Sequence, residues 1–350
     1  MKTLTNPAKA MHDTTGRLRL SIVVNNYNYA RYLPEALDSV IRQMQYGDEL
    51  IVVDDGSTDE SPAILRQYEV KHGIRLIQQE NQGQMRAVRV GIEVARGDIV
   101  VLLDSDDYFL DGYLDRLRHI YNEYPEISYV FCNALLGGDS DAGSKSMRGI
   151  LDRMELTPGK VGPTKWATLL FHEFVGIPTS GNSLHRSLAN SIITLPAIVD
   201  ETSVLPPRLA GLLGISKIEQ QKSGFTADGV IVRSASLLQS LKYYDERPGF
   251  MYRIHGSNKY ASTNRLGRWY LRRRRKKVFR EMVAQYFVLS TVPTAMDLRE
   301  EILGRSLVKH RFRRIFIRGN YCRAILASRG SLVQKVTAMA AALGFHRRKY

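Results

Sequence analysis

The sequence predicts an α/β fold with a mainly parallel central sheet flanked by helices. Two observations carry this expectation. Strand-like and helix-like patterns alternate through the first 130 residues, the signature of a parallel sheet wound with right-handed crossovers. The apolar run Asp98-Ile99-Val100-Val101-Leu102-Leu103 leads straight into Asp104-Ser105-Asp106-Asp107. Carboxylates therefore project from the C-terminal end of a buried strand, where open α/β sheets bind their ligands.

Each element has its own reason. Residues 20–25 (LSIVVN) and 50–54 are apolar runs of strand length, followed by 74–78 and 99–103. Between them, 34–45 reads as a helix with Pro34 in its first turn, and 59–72 is helical. Residues 84–96 form the next helix, with Gly97 as its C-terminal stop. Residues 134–164 are rich in Gly, Ser and Asp and read as a long loop. Beyond it, 164–174 is helical and Pro178-Thr179-Ser180-Gly181-Asn182 is turn-rich. A helix over 227–241, a short extended piece at 242–245 and a strand at 249–255 follow. From about residue 263 only helical patterns with much positive charge remain. The expected division is a flexible N-terminus (1–17), an α/β domain (18–262) and a basic helical extension (263–350).

Net charge is +15 and unevenly placed: residues 265–280 hold nine Lys or Arg and no acid. Cys132 and Cys322 fit no metal-ligand spacing and are expected reduced, as in the cytoplasm. Residues 1–16 lack the apolar core of a signal peptide. No stretch approaches the ~20 apolar residues of a membrane span. The absence of G-x-G-x-x-G after the first strand argues against a dehydrogenase-type dinucleotide site.

Asp104 and Asp106 are two apart and can point the same way from an extended segment. Crowded carboxylates repel unless a cation lies between them. Hard divalent ions such as Mg²⁺ or Mn²⁺ take oxygen ligands and bridge to phosphate. The expectation is a metal site holding a diphosphate, with Asp106 the first direct ligand. Asp107 is a second ligand or the N-cap of the next helix. The plain alternative is an acidic capping loop.

A wider set of motifs supports the metal. They run Val24-Asn25-Asn26-Tyr27-Asn28, then the helix from Leu33 to Val40, then Ile51-Val52-Val53-Asp54-Asp55-Gly56-Ser57-Thr58-Asp59. Asn81-Gln82-Gly83 and the 104–107 acids follow. Last come Pro178-Thr179-Ser180-Gly181-Asn182, Ala227-Asp228-Gly229 and Tyr252-Arg253-Ile254-His255-Gly256-Ser257-Asn258. In this order and spacing, residues 18–258 resemble the family-2 inverting glycosyltransferases of the GT-A fold. One departure is Arg89, in Ala87-Val88-Arg89-Val90-Gly91, where that family usually carries Asn.

The resemblance implies roles. Asn25, Tyr27, Asn28, Asp54, Asp55, Asp104 and Ser105 would bind the donor nucleotide, a carboxylate being an acceptor-only partner for base N–H or ribose hydroxyl. Asp106, Asp104 and His255 would hold the divalent metal. Arg253, Ser180, Gly181 and Asn182 would line the diphosphate or acceptor side. Asp228 would be the general base for an acceptor hydroxyl, ahead of Glu201 and Asp200, while His172 and His185 read as structural. The partners implied are a nucleotide-sugar donor, expected to be UDP-linked, and a hydroxyl acceptor of a cell-surface polysaccharide or glycolipid. The basic residues 265–280, with Trp269, Tyr270 and Phe279, suit a peripheral position on an anionic membrane surface better than nucleic acid. A nucleotidyltransferase and a non-catalytic sugar-nucleotide binder stay open as alternatives.

Overall fold

The computed structural model describes residues 17–138, 145–146, 156–194, 227–255, 279, 283, 292–304 and 311–344. Strands β1 (Leu20–Asn26), β2 (Glu49–Asp54), β3 (Arg75–Gln78) and β4 (Ile99–Asp104) pair in parallel. Helices α1 (Leu33–Ile41), α2 (Ser61–His72) and α3 (Gln84–Val94) connect them. Every residue of β4 from Ile99 to Leu103 is buried, as its unbroken apolar run requires. β1 lies between β2 and β4, so the chain steps outward through β2 and β3 and then crosses to the other side of β1. That reversal is a topological switch point, and a crevice opens at the strand ends there. Register places Asn25 beside Asp104 and Asn26 beside Asp54 at its rim.

The other half of the sheet is mixed. It contains β5 (Tyr108–Phe109), β6 (Tyr129–Gly138), β7 (Lys145–Ser146), β8 (Gly159–Gly162), β9 (Asn182–His185) and β10 (Lys242–Ile254). The order is β3-β2-β1-β4-β9-β6-β10-β5, with β7 on β6 and β8 on β10. β9 runs antiparallel to both β4 and β6 because the turn before it delivers the chain at the ligand end of the sheet. Helices α4 (Tyr113–Glu123), α5 (Lys165–Phe171), α6 (Arg186–Ile193) and α7 (Ala227–Leu237) belong to this half.

Several boundaries differ from expectation. α1 stops at Ile41 rather than 45, and the Gln45 N–H turns to the Asp48 carboxylate at 2.7 Å. α3 ends at Val94, and Gly97 is not its cap. A Cβ at Gly97 would lie 2.6 Å from the Ser21 backbone nitrogen, so the glycine permits close chain approach. The expected loop at 134–164 contains the end of β6 together with β7 and β8, whose backbones are recruited by neighbouring strands despite a polar sequence. The extended pieces at 242–245 and 249–255 are one strand, irregular between Asp245 and Phe250.

Helices α8 (Ala295–Gly304), α9 (Arg311–Ala327) and α10 (Leu332–Leu343) form a second small core. Leu298, Ile302, Tyr321, Ile325 and Ala338 pack there with Trp166 of α5. Thr164, the N-cap of α5, makes no side-chain cap bond. Glu301 supplies one from α8, accepting the Trp166 and Ala167 N–H groups at 2.6 and 2.8 Å and the Tyr321 hydroxyl at 2.6 Å. The boundary expected near 263 and the basic stretch 265–280 lie outside the described residues, Phe279 excepted. Phe279 is buried, its ring 5.3 Å from that of His172, rather than on an interfacial face.

Candidate active site

The acids after β4 occupy the crevice as anticipated. Ligand atoms of Asp104, Asp106 and Asp107 all lie within 4.8 Å of one another. Each is held differently. Asp104 Oδ1 accepts from Gln84 Nε2 at 2.7 Å, at the first residue of α3, and the Asp104 N–H donates to Ser180 Oγ at 3.0 Å. Asp106, its side chain 14% exposed, lies 3.1 Å from His255 Nε2. Asp107 is buried; its oxygens accept from Ser180 Oγ at 2.6 Å and from the Arg253 N–H at 3.0 Å. It therefore does not cap the following helix, whose N-cap is Gly112. Burial, and then the charges of Asp106 and Asp104, push the Asp107 carboxyl well above the usual carboxylate range. Three crowded oxygen donors with an imidazole at the mouth fit a hard divalent cation.

An aromatic wall closes one side. The rings of Tyr29 and Tyr32 sit 5.5 and 4.9 Å from that of His255. Burial, then the negative charges of Asp106 and Asp104, raise the Tyr29 phenol above its ordinary value, so it stays a proton donor toward Asp106. Arg253 packs its guanidinium over the Tyr32 and Tyr108 rings at 5.1 and 4.9 Å and pairs with Glu35 of α1.

The expected nucleotide residues divide into two kinds. Asn25 is half-buried, and its Oδ1 is a buried acceptor with no hydrogen-bond partner among the described residues. Tyr27 is 37% exposed and open to a ligand. The others organise the crevice. Asp54 accepts from Asn26 Nδ2 at 2.9 Å and Ser57 Oγ at 2.5 Å. Asp55 receives the Gln79 amide and the Gln82 and Gly83 N–H groups at 2.7, 2.8 and 2.8 Å, which clamps the segment entering α3. Asn28 adopts a left-handed conformation (φ 58°), and its Oδ1 accepts the Thr58 N–H at 2.7 Å. Ser105 is buried and donates to Asn26 Oδ1 at 2.8 Å.

The turn at 178–182 is brought against the acids through Ser180, which touches both Asp104 and Asp107. Gly181 and Asn182 lie beneath, wholly buried, rather than on an open acceptor side. Gly181 has φ +79°, and a Cβ there would come within 2.6 Å of the Phe250 ring. Asn182 directs its amide to the carbonyls of Ile177 and Thr179 at 3.1 and 3.0 Å and accepts from Tyr129 at 2.6 Å. Asp228 stands in the first turn of α7, half-buried, close enough for its charge to raise the Tyr129 phenol further. Asp200, Glu201, Ser257 and Asn258 lie outside the described residues. His185 is half-buried at the start of α6, its ring 5.2 Å from that of Tyr121, and desolvation lowers its pKa, in keeping with a structural part. Arg89 pairs with Glu93 at 3.2 Å along α3, so Gln84 is the α3 residue that reaches Asp104.

Gln84, Asn26, Tyr29, Tyr32 and Thr179 were not singled out from sequence. The available signal was the aromatic cluster Tyr27-Asn28-Tyr29-Ala30-Arg31-Tyr32 directly after a buried strand. The Lys242 ammonium is likewise a finding. It is fully buried in the β10–α7 seam and donates to the Val175 and Val232 carbonyls and Ser236 Oγ at 2.7, 3.0 and 2.9 Å.

Residues 21–169 match the model of Glycosyl transferase family 2. An uncharacterized glycosyltransferase of Nostoc sp. is 28% identical over 249 residues, covering 70% of this chain and 67% of that protein. The putative glycosyltransferase EpsH of Bacillus subtilis is 35% identical over 115 residues, 33% of either chain. An undecaprenyl-phosphate 4-deoxy-4-formamido-L-arabinose transferase of Pseudomonas fluorescens is 40% identical over 93 residues, 25% of this chain and 27% of that one. The chain thus spans a third or less of the length of the latter two. Among solved structures, S. aureus TarS 1-349 in complex with UDP-GlcNAc superposes with a TM-score of 0.50 at 16% identity, covering 93% of this chain and 72% of that one. A mannosyltransferase from Pyrobaculum calidifontis in complex with GDP-Man and Mn²⁺ superposes at 0.50 with 19% identity, covering 98% and 85%. These two show a shared GT-A architecture.

Proposed function

We propose that this chain is a family-2 glycosyltransferase that moves a sugar from a UDP-linked donor to an acceptor hydroxyl with inversion and with a divalent metal. The observation that carries this reading is the acid triad at the switch point, facing the unsatisfied Asn25 acceptor. Asn25 and Tyr27 receive the nucleotide, on a floor braced by Asp54 and Asp55. Asp104, Asp106 and Asp107 would hold the metal with His255 beside them, and Gln84 and Ser180 orient two of the acids. A bound Mn²⁺ or Mg²⁺ supplies charge neutralisation for the departing nucleoside diphosphate. Asp228 takes the proton from the acceptor hydroxyl as its oxygen bonds to the anomeric carbon. The bond from that carbon to the diphosphate oxygen breaks on the opposite side. Arg253 serves the diphosphate by exchanging Glu35 for phosphate oxygens.

The metal assignment draws support from the Mn²⁺ of the archaeal neighbour and the donor assignment from the UDP-GlcNAc of TarS. The Pseudomonas relative, named for undecaprenyl-phosphate, supports a lipid-linked acceptor and a role in cell-surface glycan synthesis. No helix among the described residues is long and apolar enough to cross a membrane. The basic residues 265–280 support peripheral contact with a lipid-borne acceptor at an anionic cytoplasmic face.

The test is a thermal-shift panel of UDP, GDP, CDP and dTDP with and without Mn²⁺. A melting shift that needs UDP and the metal together is expected. A shift with another nucleotide reassigns the donor base, and stabilisation by UDP alone refutes the metal-bridged diphosphate.

A further inference from the structure

The C-terminal helical hairpin has an outer surface unlike the rest of the molecule. Seven of the thirteen exposed large apolar side chains among the described residues belong to α9 and α10. On α9, Ile315 and Leu326 fall within roughly 40° of each other around the helix axis, with Phe316 flanking them. The opposite side of α9 turns Tyr321 and Ile325 into the second core. On α10, Leu332 and Val336 line one face within roughly 40°, with Val333 beside them. Ala338, Ala341 and Ala342 are buried on the other. Leu332 and Val333 are 78% and 72% exposed, far beyond what scattered surface residues explain.

Charge identifies what covers this face. Residues 302–350 contain twelve Lys or Arg and no Asp or Glu, so they supply +12 of the chain's net +15. Arg323 is exposed on α9, roughly 20° around the axis from Phe316, whereas Arg329 lines a cavity with Asp297 and Glu300 of α8. Apolar side chains set among cations, without acids, are the composition of a surface that lies in a lipid interface. A second copy of the chain would bring +12 against +12. Nucleic acid would use the cations but leave the aliphatic stripes in water.

The hairpin is ordered before it meets any partner. Ser331 and Gln334 form a reciprocal capping box at the start of α10. Lys335 Nζ ties back to the Leu326 carbonyl at 2.8 Å at the end of α9.

We propose that the outer face of α9 and α10 docks on an anionic lipid surface, with Phe316, Leu326, Leu332, Val333 and Val336 entering the headgroup boundary and the neighbouring Arg and Lys side chains meeting lipid phosphates. This surface is built from residues of α9 and α10 and does not depend on the donor chemistry of the acid site.

Flotation of the full chain with phosphatidylcholine vesicles, with and without phosphatidylglycerol and at low and high salt, tests it. The wild type is expected to float only with phosphatidylglycerol and less at high salt. The triple variant Phe316→Ser, Leu332→Ser, Val336→Ser should lower the bound fraction by about tenfold or more at unchanged melting temperature. A wild type that ignores phosphatidylglycerol vesicles overturns the proposal. So does a folded triple variant that floats as well as the wild type, which would put the lipid contact elsewhere. A wild-type dimer that the triple variant splits, without vesicle binding, assigns the face to self-association instead. Phe316→Trp gives a second readout that keeps the fold: its emission should shift to the blue on adding phosphatidylglycerol vesicles, and an unshifted spectrum counts against docking.

Discussion

The two halves of the sheet reach the same crevice by different routes. In the parallel half, β1, β2 and β4 deliver Asn25, Asp54, Asp55 and the 104–107 acids from the ends of consecutive βα units, each within a short readable motif. In the mixed half, Ser180, Arg253 and His255 come from a turn and from the end of a long irregular strand. They converge only because β9 is threaded antiparallel between β4 and β6. On the proposed function, the parallel half would hold the nucleotide diphosphate and the mixed half would bring the groups that act on the sugar and its acceptor. Mutations separate these tasks.

The largest effect should come from the acid at the seam. Asp106 lies in the parallel half but touches His255 of the mixed half. Asp106→Ala should reduce transfer by about 10³-fold, the cost of losing a pre-set electrostatic partner of the leaving group, and abolish the Mn²⁺-dependent UDP shift. Circular dichroism and melting temperature should stay near wild type because removing Asp106 relieves its repulsion with Asp104 and Asp107. Normal turnover would remove the metal from the mechanism.

Asp228→Asn breaks the comparison in the other direction. It should lower transfer by about 10²–10⁴-fold, the range for a general base, while the UDP and Mn²⁺ shift persists. Steady-state transfer and donor titration on the same preparation decide it. A collapse of donor affinity would move Asp228 to the nucleotide side and dissolve the division of labour.

A third variant asks how the mixed half is held. Glu301 of α8 caps α5, and α5 leads into the 177–182 turn that carries Ser180. Glu301→Gln replaces an acceptor-only group by one that presents an N–H to buried N–H donors. Destabilisation of ~2–3 kcal/mol follows from the unsatisfied buried groups. Chemical denaturation measures it; an unchanged midpoint would mean that the C-terminal bundle does not secure α5.

How much of this was legible follows the same division. The strands at 20–26, 49–54 and 99–104 are continuous apolar runs, and the acids directly behind one of them mark the ligand end. β9 was not legible, since Asn182-Ser183-Leu184-His185 has neither alternation nor an apolar run; tertiary pairing imposes its strand form. Arg253 was readable as a cation near the site, but its stacking between Tyr32 and Tyr108 joins residues far apart in sequence. Gln84 was not legible because a glutamine in the first turn of a helix is ordinary helix chemistry, and only the packing of α3 beside β4 brings its amide to Asp104. Asn26 escaped because only its neighbours Asn25 and Tyr27 face outward, while Asn26 itself bonds inward to Asp54 and Ser105.

The smallest expected effect probes the floor of the mixed half. Cys132 of β6 is fully buried beneath the turn, with its sulfur 3.6 Å from the Gly181 carbonyl. Burial pushes its thiol up from 9.0 to about 12. In the unfolded chain the thiol ionises near its ordinary value, so between pH 9.0 and about 12 the folded state binds the extra proton. Stability therefore falls as pH rises through this window. By pH 10 the loss from this one group should be ~1 kcal/mol, and Cys132→Ala should abolish that increment whatever constant offset the lost sulfur contacts introduce. Buried Tyr113, Tyr121 and Tyr129 add the same sign above pH 10, since burial raises their phenols too. The comparison is therefore read between pH 8 and pH 10, as the difference in denaturation free energy between wild type and variant. Parallel curves for the two proteins would mean that the floor under Gly181 opens to water, and that the mixed half is less tightly closed than the parallel half beside it.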